Sequence, residues 1–495
     1  MIIQRIGDIY NKIERKQLYA CRPLWYIFSA IFYDEDIVMN YLGIEYEVRN
    51  LPVLDRDFIP FHLWSTAFLK GAERPFSVAV ERPGSISVFR SFLRGEEFRQ
   101  ANIRYLERFV KFLLWSVGGF RIWVCGCDEE ARTLKERYCF GGAREFDAQF
   151  MLDVFERDLE VCIVDEADFP EANEQPIPIG GHLDGCRIGF DAGGSDRKVS
   201  AVIDGETVYS EEVVWNPKLS EDPQYQFDGI VSSFRTAASK MPRVDAIGVS
   251  SAGVFVGNAP MVSSLFIKVP RSRREEVKTI FDRAAKEIGD VPITVANDGD
   301  VTALAGAMSL GSGSVLGISM GTSEAGGYIN PDGNILGWFN ELAFAPVDLY
   351  DNAERDEWSG DVGVGCKYLS QDAVIKLAPK AGISFTDGMT PAEKLRQVQQ
   401  LAESGHPGAR DIFLSIGAYL AHTVALYAEF YQIRYMLVLG RVASGTGGEL
   451  LIAECGRVLK EEYPELSDIK VMLPDEKARR VGQSVAAAGL PDTSR

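Results

Sequence analysis

The chain has 495 residues, 46% of them hydrophobic and 25% charged, and a net charge of -19. That length makes two or three domains, and that composition makes a globular protein with an ample core. The acidity, with no basic stripe to offset it, excludes a nucleic-acid partner; the short runs "RSRR" (271–274) and "KARR" (477–480) read as solvated helix ends.

Early in the chain, "PLWYIFSAIF" (23–32) is too short to span a bilayer, and no signal peptide precedes it, so no membrane partner is expected. A region rich in Trp, Phe and Tyr follows, with strand-like pieces in "FSVAVERPGSISVFR" (76–90) and a helical stretch from about 99 to 115. The eight cysteines (21, 125, 127, 139, 162, 186, 366, 455) lack disulfide-framework spacing, so reduced thiols and a cytoplasmic location are expected. Cys125 and Cys127 form an isolated C-x-C read as buried thiols, and the histidines (62, 182, 406, 422) lie too far apart for a helical metal pair. The acidic, Pro- and Gly-rich "DEADFPEANEQPIPIGGHLDG" (165–185) reads as a linker that closes an N-terminal domain, 1–164.

Beyond the linker, strand and helix alternate. "CRIGFD", "KVSAVID" and "TVYSEEVVW" read as three strands, "FDGIVSSFRTAASKM" (227–241) as a helix, "VDAIGVSSAG" as a strand and "REEVKTIFDRAAKEIG" as a helix. "PITVAND" is a strand leading into the helix "VTALAGAMSL", and "SVLGISMGTSEAGGYINPDGNIL" (314–336) begins the strand, turn and strand pattern again. A long helix (about 408–431), the strand "YMLVLG" (435–440) and the helix "GGELLIAECGRVLKEEY" (447–463) follow. The repeated opening predicts an α/β architecture with lobes at 186–305 and 306–495, the second carrying an insertion at about 338–407. A weaker repeat aligns 105–131 with 419–445, each reading helix, turn, strand and Gly, and raises a degenerate relative of the same fold as one reading of the N-terminal region.

Three stretches carry chemistry. "DAGGS" (191–195) is a hairpin turn or a loop that offers bare backbone N–H groups to phosphate, with Asp191 holding Mg²⁺ through water and Ser195 donating to a phosphoryl oxygen. "MGTSEAGG" (320–327) repeats the idea with Gly321, Thr322, Gly326 and Gly327. Between them, "VANDGDVTA" (295–303) puts Asp298 where a strand hands over to a helix, a place for a helix cap or for a general base that takes a proton from an attacking hydroxyl.

In order and spacing, residues 186 to about 492 resemble the ROK family of sugar kinases and repressors, within the actin-like/hexokinase-like ATPase superfamily. "FDAGGSDRKVSAVID" is similar to the family's D-x-G-G-T phosphate loop, "VANDGDVTALAGA" to its N-D-A-N-x-x-A-L-G-E segment, and "SMGTSEAGGYINPDG" to its second loop, G-T-G-x-G-G-G. "YMLVLGRVASGTGGELL" resembles the turn that holds adenosine. The resemblance implies duplicated actin-like/ribonuclease H-like ATPase domains with a cleft between two lobes, beside an N-terminal α+β or degenerate related domain. It implies ATP and Mg²⁺, a small-molecule sugar as substrate, and Asp298 as catalytic base. Asp191, Gly193, Gly194, Ser195, Gly321, Thr322, Gly326, Gly327, Gly440 and Arg441 fall on the nucleotide motifs. Asn297, Glu341, Ser250, Ser251 and Tyr368 fall on the sugar motifs.

The departures define a second reading. Ser323 and Ala325 replace loop glycines beside the charge of Glu324, Arg441 replaces a Gly at the adenosine turn, and Phe344 stands where the family's E-x-G-H motif has His. "SGDVGVGCKYLS" (359–370) keeps one thiol, Cys366, so no zinc site is expected, and Tyr368 replaces a Glu that contacts sugar in relatives. An ATP-dependent carbohydrate kinase therefore stands against a non-catalytic sugar or nucleotide sensor on the same fold. No helix-turn-helix appears in residues 1–100, and the aromatic stretch 22–33 suits a module for homodimer formation.

Overall fold

The computed structural model describes residues 37–174, 180–474 and 476–493. The stretch 22–33, Cys21 and the side chains of 477–480 lie outside the described residues. No described helix is long and apolar enough to cross a membrane.

The N-terminal part opens with the hairpin β1 (Ile37–Tyr41) and β2 (Ile44–Val48). It continues with a four-stranded sheet of β3 (Arg74–Arg82), β4 (Ser85–Leu93), β5 (Arg121–Cys125) and β6 (Glu160–Ile163), in the order β4-β3-β5-β6. The helix Arg99–Ser116 lies between hairpin and β5, as its apolar periodicity predicts. The first lobe holds β7 (Cys186–Ala192), β8 (Asp196–Ile203), β9 (Glu206–Val214), β10 (Ala246–Ser251), the small hairpin β11 (Val254–Val256) and β12 (Ala259–Val262), and β13 (Ile293–Asn297). Its sheet runs β13-β10-β7-β8-β9; β7, β8 and β9 are antiparallel neighbours, and β10 and β13 run parallel to β7. This is the ribonuclease H-like order. The second lobe repeats most of it with β14 (Val315–Met320), β15 (Glu324–Ile329), β16 (Tyr435–Leu439) and β17 (Lys470–Met472), ordered β15-β14-β16-β17. There β15 is antiparallel to β14, and β16 and β17 are parallel.

The 105–131 and 419–445 segments do share a local device. Each helix feeds a strand that ends in a glycine at positive φ, Gly126 (+88°) and Gly440 (+91°), where a Cβ would strike a neighbouring backbone oxygen. The sheets around them differ: β5 is antiparallel to β3, whereas β16 is parallel to β14. The N-terminal part is thus an α+β unit and not a third copy of the lobe.

Packing joins parts that the sequence keeps apart. One core runs from Ile44 through the 99–116 helix to the 407–427 helix of the second lobe, with Phe112 on Phe430 at 4.2 Å and Trp115 on Phe344 at 4.4 Å. Backbone bonds stitch the same seam, Leu349 N–H to Ile59 O and Asn340 N–H to Ser116 O, both 3.0 Å. The last helix, Glu476–Ala488, leaves the segment expected as second lobe and lies on the first sheet. It approaches so closely that a Cβ on Gly189 or Gly248 would fall 1.7 or 1.6 Å from its Ser484 or Ala487 carbonyl oxygen.

Candidate active site

Strand register builds the first half of the site. The carboxyl ends of β7, β10 and β13 align Asp191 with Ser250, and Ser251 with both Ala192 and Asn297. In parallel sheets this end is where ligands bind. Asn297 then caps the helix Asp298–Leu310, its Oδ1 accepting from Gly299 N–H at 2.7 Å and its Nδ2 donating to Gly253 O at 2.7 Å. The cap is Asn297, which leaves the Asp298 carboxylate with local backbone donors, the Gly299 N–H (3.0 Å) and its own N–H.

Carboxylates crowd this end. Burial, reinforced by Asp298, pushes the Asp191 carboxyl up to about 6 against the Ser250 hydroxyl that donates to it at 3.1 Å. Burial raises Asp298 as well, while the Gly299 N–H and the Lys218 ammonium oppose the rise. Burial and the charges of Asp298 and Asp300 carry Glu341 up to about 7. Asp300 itself is structural: it accepts from Tyr328 N–H (3.1 Å) and Asn340 Nδ2 (3.0 Å) deep in the protein.

The first loop answers the question its glycines pose. Neither Gly193 nor Gly194 has positive φ, so the turn does not need glycine for its backbone. It needs space, because a Cβ on Gly193 would lie 2.7 Å from Asp196 O and one on Gly194 2.7 Å from Lys218 Cε. Trp215 fixes the loop from behind, donating from Nε1 to Gly193 O (2.8 Å) and from its backbone N–H to Ser195 O (3.1 Å).

In the second lobe the turn at 321–323 joins β14 to β15, with Thr322 and Ser323 exposed. Gly440 sits beside it: Ser319 pairs with Leu439, and Val442 N–H donates to Met320 O at 3.2 Å. Arg441 follows, exposed, its carbonyl taken by Gln399 Nε2 at 2.7 Å. The two halves meet where the start of the 298–310 helix touches β15.

Several expected site residues have other duties. A Cβ on Gly327 would be 2.1 Å from Gly299 O, so it permits close helix–strand packing, and one on Gly326 would be 2.7 Å from Asn340 O, so it permits close approach of the 340–342 segment. The Ser250 hydroxyl is committed to Asp191, and both ends of the Asn297 amide are committed to backbone. Tyr368 is in the core, donating to Asp348 Oδ2 at 2.6 Å between Phe58 and Tyr419, and does not reach Asp298. Phe344 packs among Trp115, Phe146 and Trp358. Glu324 turns inward and accepts from Tyr427 OH at 3.1 Å, so it puts no charge in the phosphate path.

Burial drives the Glu324 carboxyl up to about 8. An acid whose folded pKa is raised contributes its stability below the unfolded pKa of about 4 and loses it as pH rises through the folded one. Glu324→Gln is therefore expected to flatten the fall in urea stability between pH 5 and 9 that the native chain shows, measured by equilibrium unfolding at each pH.

Mg²⁺ fits as a water-mediated guest. Among the described residues the Asp191 carboxylate accepts only the Ser250 hydroxyl, through Oδ1, which leaves Oδ2 open. It is a hard oxygen donor within the electrostatic reach of a second carboxylate, Asp298. Among the described residues no three acidic, His or Cys side chains enclose a metal, so the ion would share its shell with water and phosphate oxygens. A cavity of about 370 Å³ abuts Asn297 and Asp300 where the three parts of the chain meet, walled by Phe155, Phe255, Trp338 and Phe339.

Sequence reading missed Lys218 and Trp215, which sit in a loop after β9 with no motif around them; the strap they form across the first loop exists only through tertiary contacts. No family model matches the chain, and no curated protein sequence matches it. Solved structures do. A ROK family glucokinase from Streptomyces griseus, in complex with glucose and AMPPNP, is similar at 19% identity, 61% of this chain, 98% of that chain and a TM-score of 0.45. A ROK family transcriptional regulator, a homologue of the E. coli MLC protein, is similar at 16% identity, 62% of this chain, 78% of that one and 0.49. A ROK hexokinase from Thermus thermophilus is similar at 18% identity, 61% of this chain, 97% of that one and 0.47.

Proposed function

We propose that this protein transfers the γ-phosphoryl group of ATP to a hydroxyl of a sugar or sugar derivative. The observation that carries the reading is the pairing of Asp191 and Asp298, two carboxylates raised by burial at the carboxyl end of the first sheet, beside a glycine loop kept free of Cβ atoms. In the second lobe, the small hydroxyl-bearing turn at Gly321-Thr322 and the neighbouring Gly440-Arg441 turn follow the ends of the parallel strands β14 and β16.

In this reading Asp298 accepts the proton of the acceptor hydroxyl. A base with a raised pKa is better matched to that task near neutrality than an ordinary aspartate. Glu341, whose carboxyl is raised by burial and by Asp298 and takes no hydrogen bond among the described residues, binds an acceptor hydroxyl. Ser195 and the backbone around Gly193 and Gly194 meet the phosphates, Thr322 meets them from the other lobe, and the surface at Gly440 and Arg441 receives the nucleoside. Bound Mg²⁺, held through water by Asp191, would neutralise phosphate charge.

A thermal-shift screen of sugars with and without Mg-ATP, followed by ADP release on each hit, tests this. Sugar-dependent ADP release is expected. A raised melting temperature with no ADP release for any sugar would replace the kinase with the sensor.

A further inference from the structure

We propose that Lys218 is the phosphate-contacting cation of the first loop and that it accompanies the phosphoryl group from donor to acceptor. This rests on the phosphotransferase reading above and adds to it a residue that no motif supplies.

The argument begins with how residue 218 is held. Trp215 is 2% exposed, clasps the loop through Gly193 O and Ser195 O, and carries the Arg197 guanidinium over its ring at 5.5 Å. Pro217 is buried in the short turn Pro217–Leu219, and its carbonyl accepts from Gln226 Nε2 at 2.9 Å. The backbone is thus anchored immediately ahead of residue 218, whose side chain is exposed. That side chain lies over the loop, its Cε and Nζ 2.7 and 2.9 Å from where a Gly194 Cβ would be. A residue larger than Gly at 194 would displace it.

Charge gives the position its purpose. A phosphate approaching Gly193 and Gly194 meets Asp191 and Asp298, and also Asp196, whose Oδ1 stands 3.0 Å from the Cβ position of Gly193. Lys218 is exposed and forms no ion pair at contact distance among the described residues, yet its field reaches Asp298 and favours the ionised carboxylate there. A lysine on a flexible stem, between the loop and the base, without a carboxylate of its own, matches a mobile anion better than a fixed one. In the transfer, the acceptor oxygen to γ-phosphorus bond forms and the bond from γ-phosphorus to the bridging oxygen breaks. The acceptor proton passes to Asp298, ADP leaves, and Lys218 neutralises charge on the transferring group.

The test compares the native chain with Lys218→Met and Lys218→Arg. Titration calorimetry with Mg-ATP and with adenosine comes first, then turnover with the acceptor that the sugar screen identifies. Lys218→Met is expected to bind adenosine as the native chain does, to bind Mg-ATP at least about tenfold more weakly, and to turn over about a hundredfold more slowly. Lys218→Arg is expected to recover most of the Mg-ATP affinity. Mg-ATP affinity in Lys218→Met within twofold of native overturns the inference and leaves the function standing. A native chain that binds neither Mg-ATP nor adenosine overturns both.

Discussion

Asp298→Asn is expected to lower sugar-dependent ADP formation by about 10²- to 10⁴-fold, the range that a positioned general base contributes, while leaving the fold intact. The geometry separates catalysis from structure at this position. Helix capping belongs to Asn297, and the Asp298 carboxylate accepts from backbone N–H groups, Gly299 among them, bonds that an Asn Oδ1 can retain. Burial raises the Asp298 pKa, so its ionised form is a cost to the native state that grows as pH rises through that pKa. The variant should therefore match the native chain only below the unfolded pKa of about 4 and gain on it as pH rises above that. Turnover carries the opposite dependence: native activity should rise through an acid limb centred above the ordinary aspartate value of about 4, and the variant should lack that limb. Unchanged turnover in a folded Asp298→Asn protein would remove Asp298 from the role of base.

What the sequence disclosed and what it hid divide along a physical line. Asp191 and Asp298 were legible because each ends an apolar strand at a turn, and strand ends are fixed by local pattern. The repeated strand–turn–strand opening was legible for the same reason, and the structure places hairpins at β7–β8 and β14–β15. The inward turn of Glu324 was half legible, since alternation along β15 puts it on one face with Gly326 and Tyr328, both buried. Tyr368 and Phe344 were assigned to a sugar pocket by motif position alone. Their partners, Phe58, Trp115 and Phe146, come from the N-terminal part nearly 200 residues and more away, and no local pattern reports a contact of that range. Lys218 was hidden for the same reason. The strap that places it depends on bonds from Trp215 to a loop formed 20 residues earlier.

That long-range seam yields the largest expected loss of stability, Asp361→Asn at about 3–5 kcal/mol. Asp361 leaves the second lobe to meet three cations of the N-terminal part: Arg108 through Nη1 at 2.8 Å and Nη2 at 3.2 Å, Lys111 at 3.1 Å and Arg144 at 2.7 Å. Glu107 and Asp147 complete the cluster, so two buried cations, Arg108 and Lys111, and the largely covered Arg144 face three buried anions. Burial alone would raise the Asp361 carboxyl, but Lys111, Arg108 and Arg144 outweigh it and hold the group far below the usual carboxylate range. A depressed folded pKa contributes stability above the unfolded pKa of about 4 and loses it only as pH falls toward the folded value. The full contribution is therefore present at pH 7, where the Asn variant leaves one buried positive charge without compensation. Equilibrium urea unfolding at pH 7 should show the loss, and the difference from the native chain should shrink as pH falls below about 4. Lys111→Met added to Asp361→Asn removes the surplus charge but orphans Asp147 of its Lys111 partner (2.9 Å), leaving Trp115 Nε1 as the donor there at 2.5 Å. The double variant is expected to recover part of the loss, by an amount that measures the coupling between the two sites. A cost below about 1 kcal/mol for the single variant, in the range of an exposed ion pair, would mean that water reaches the cluster and that the apolar seam alone holds the N-terminal part to the second lobe.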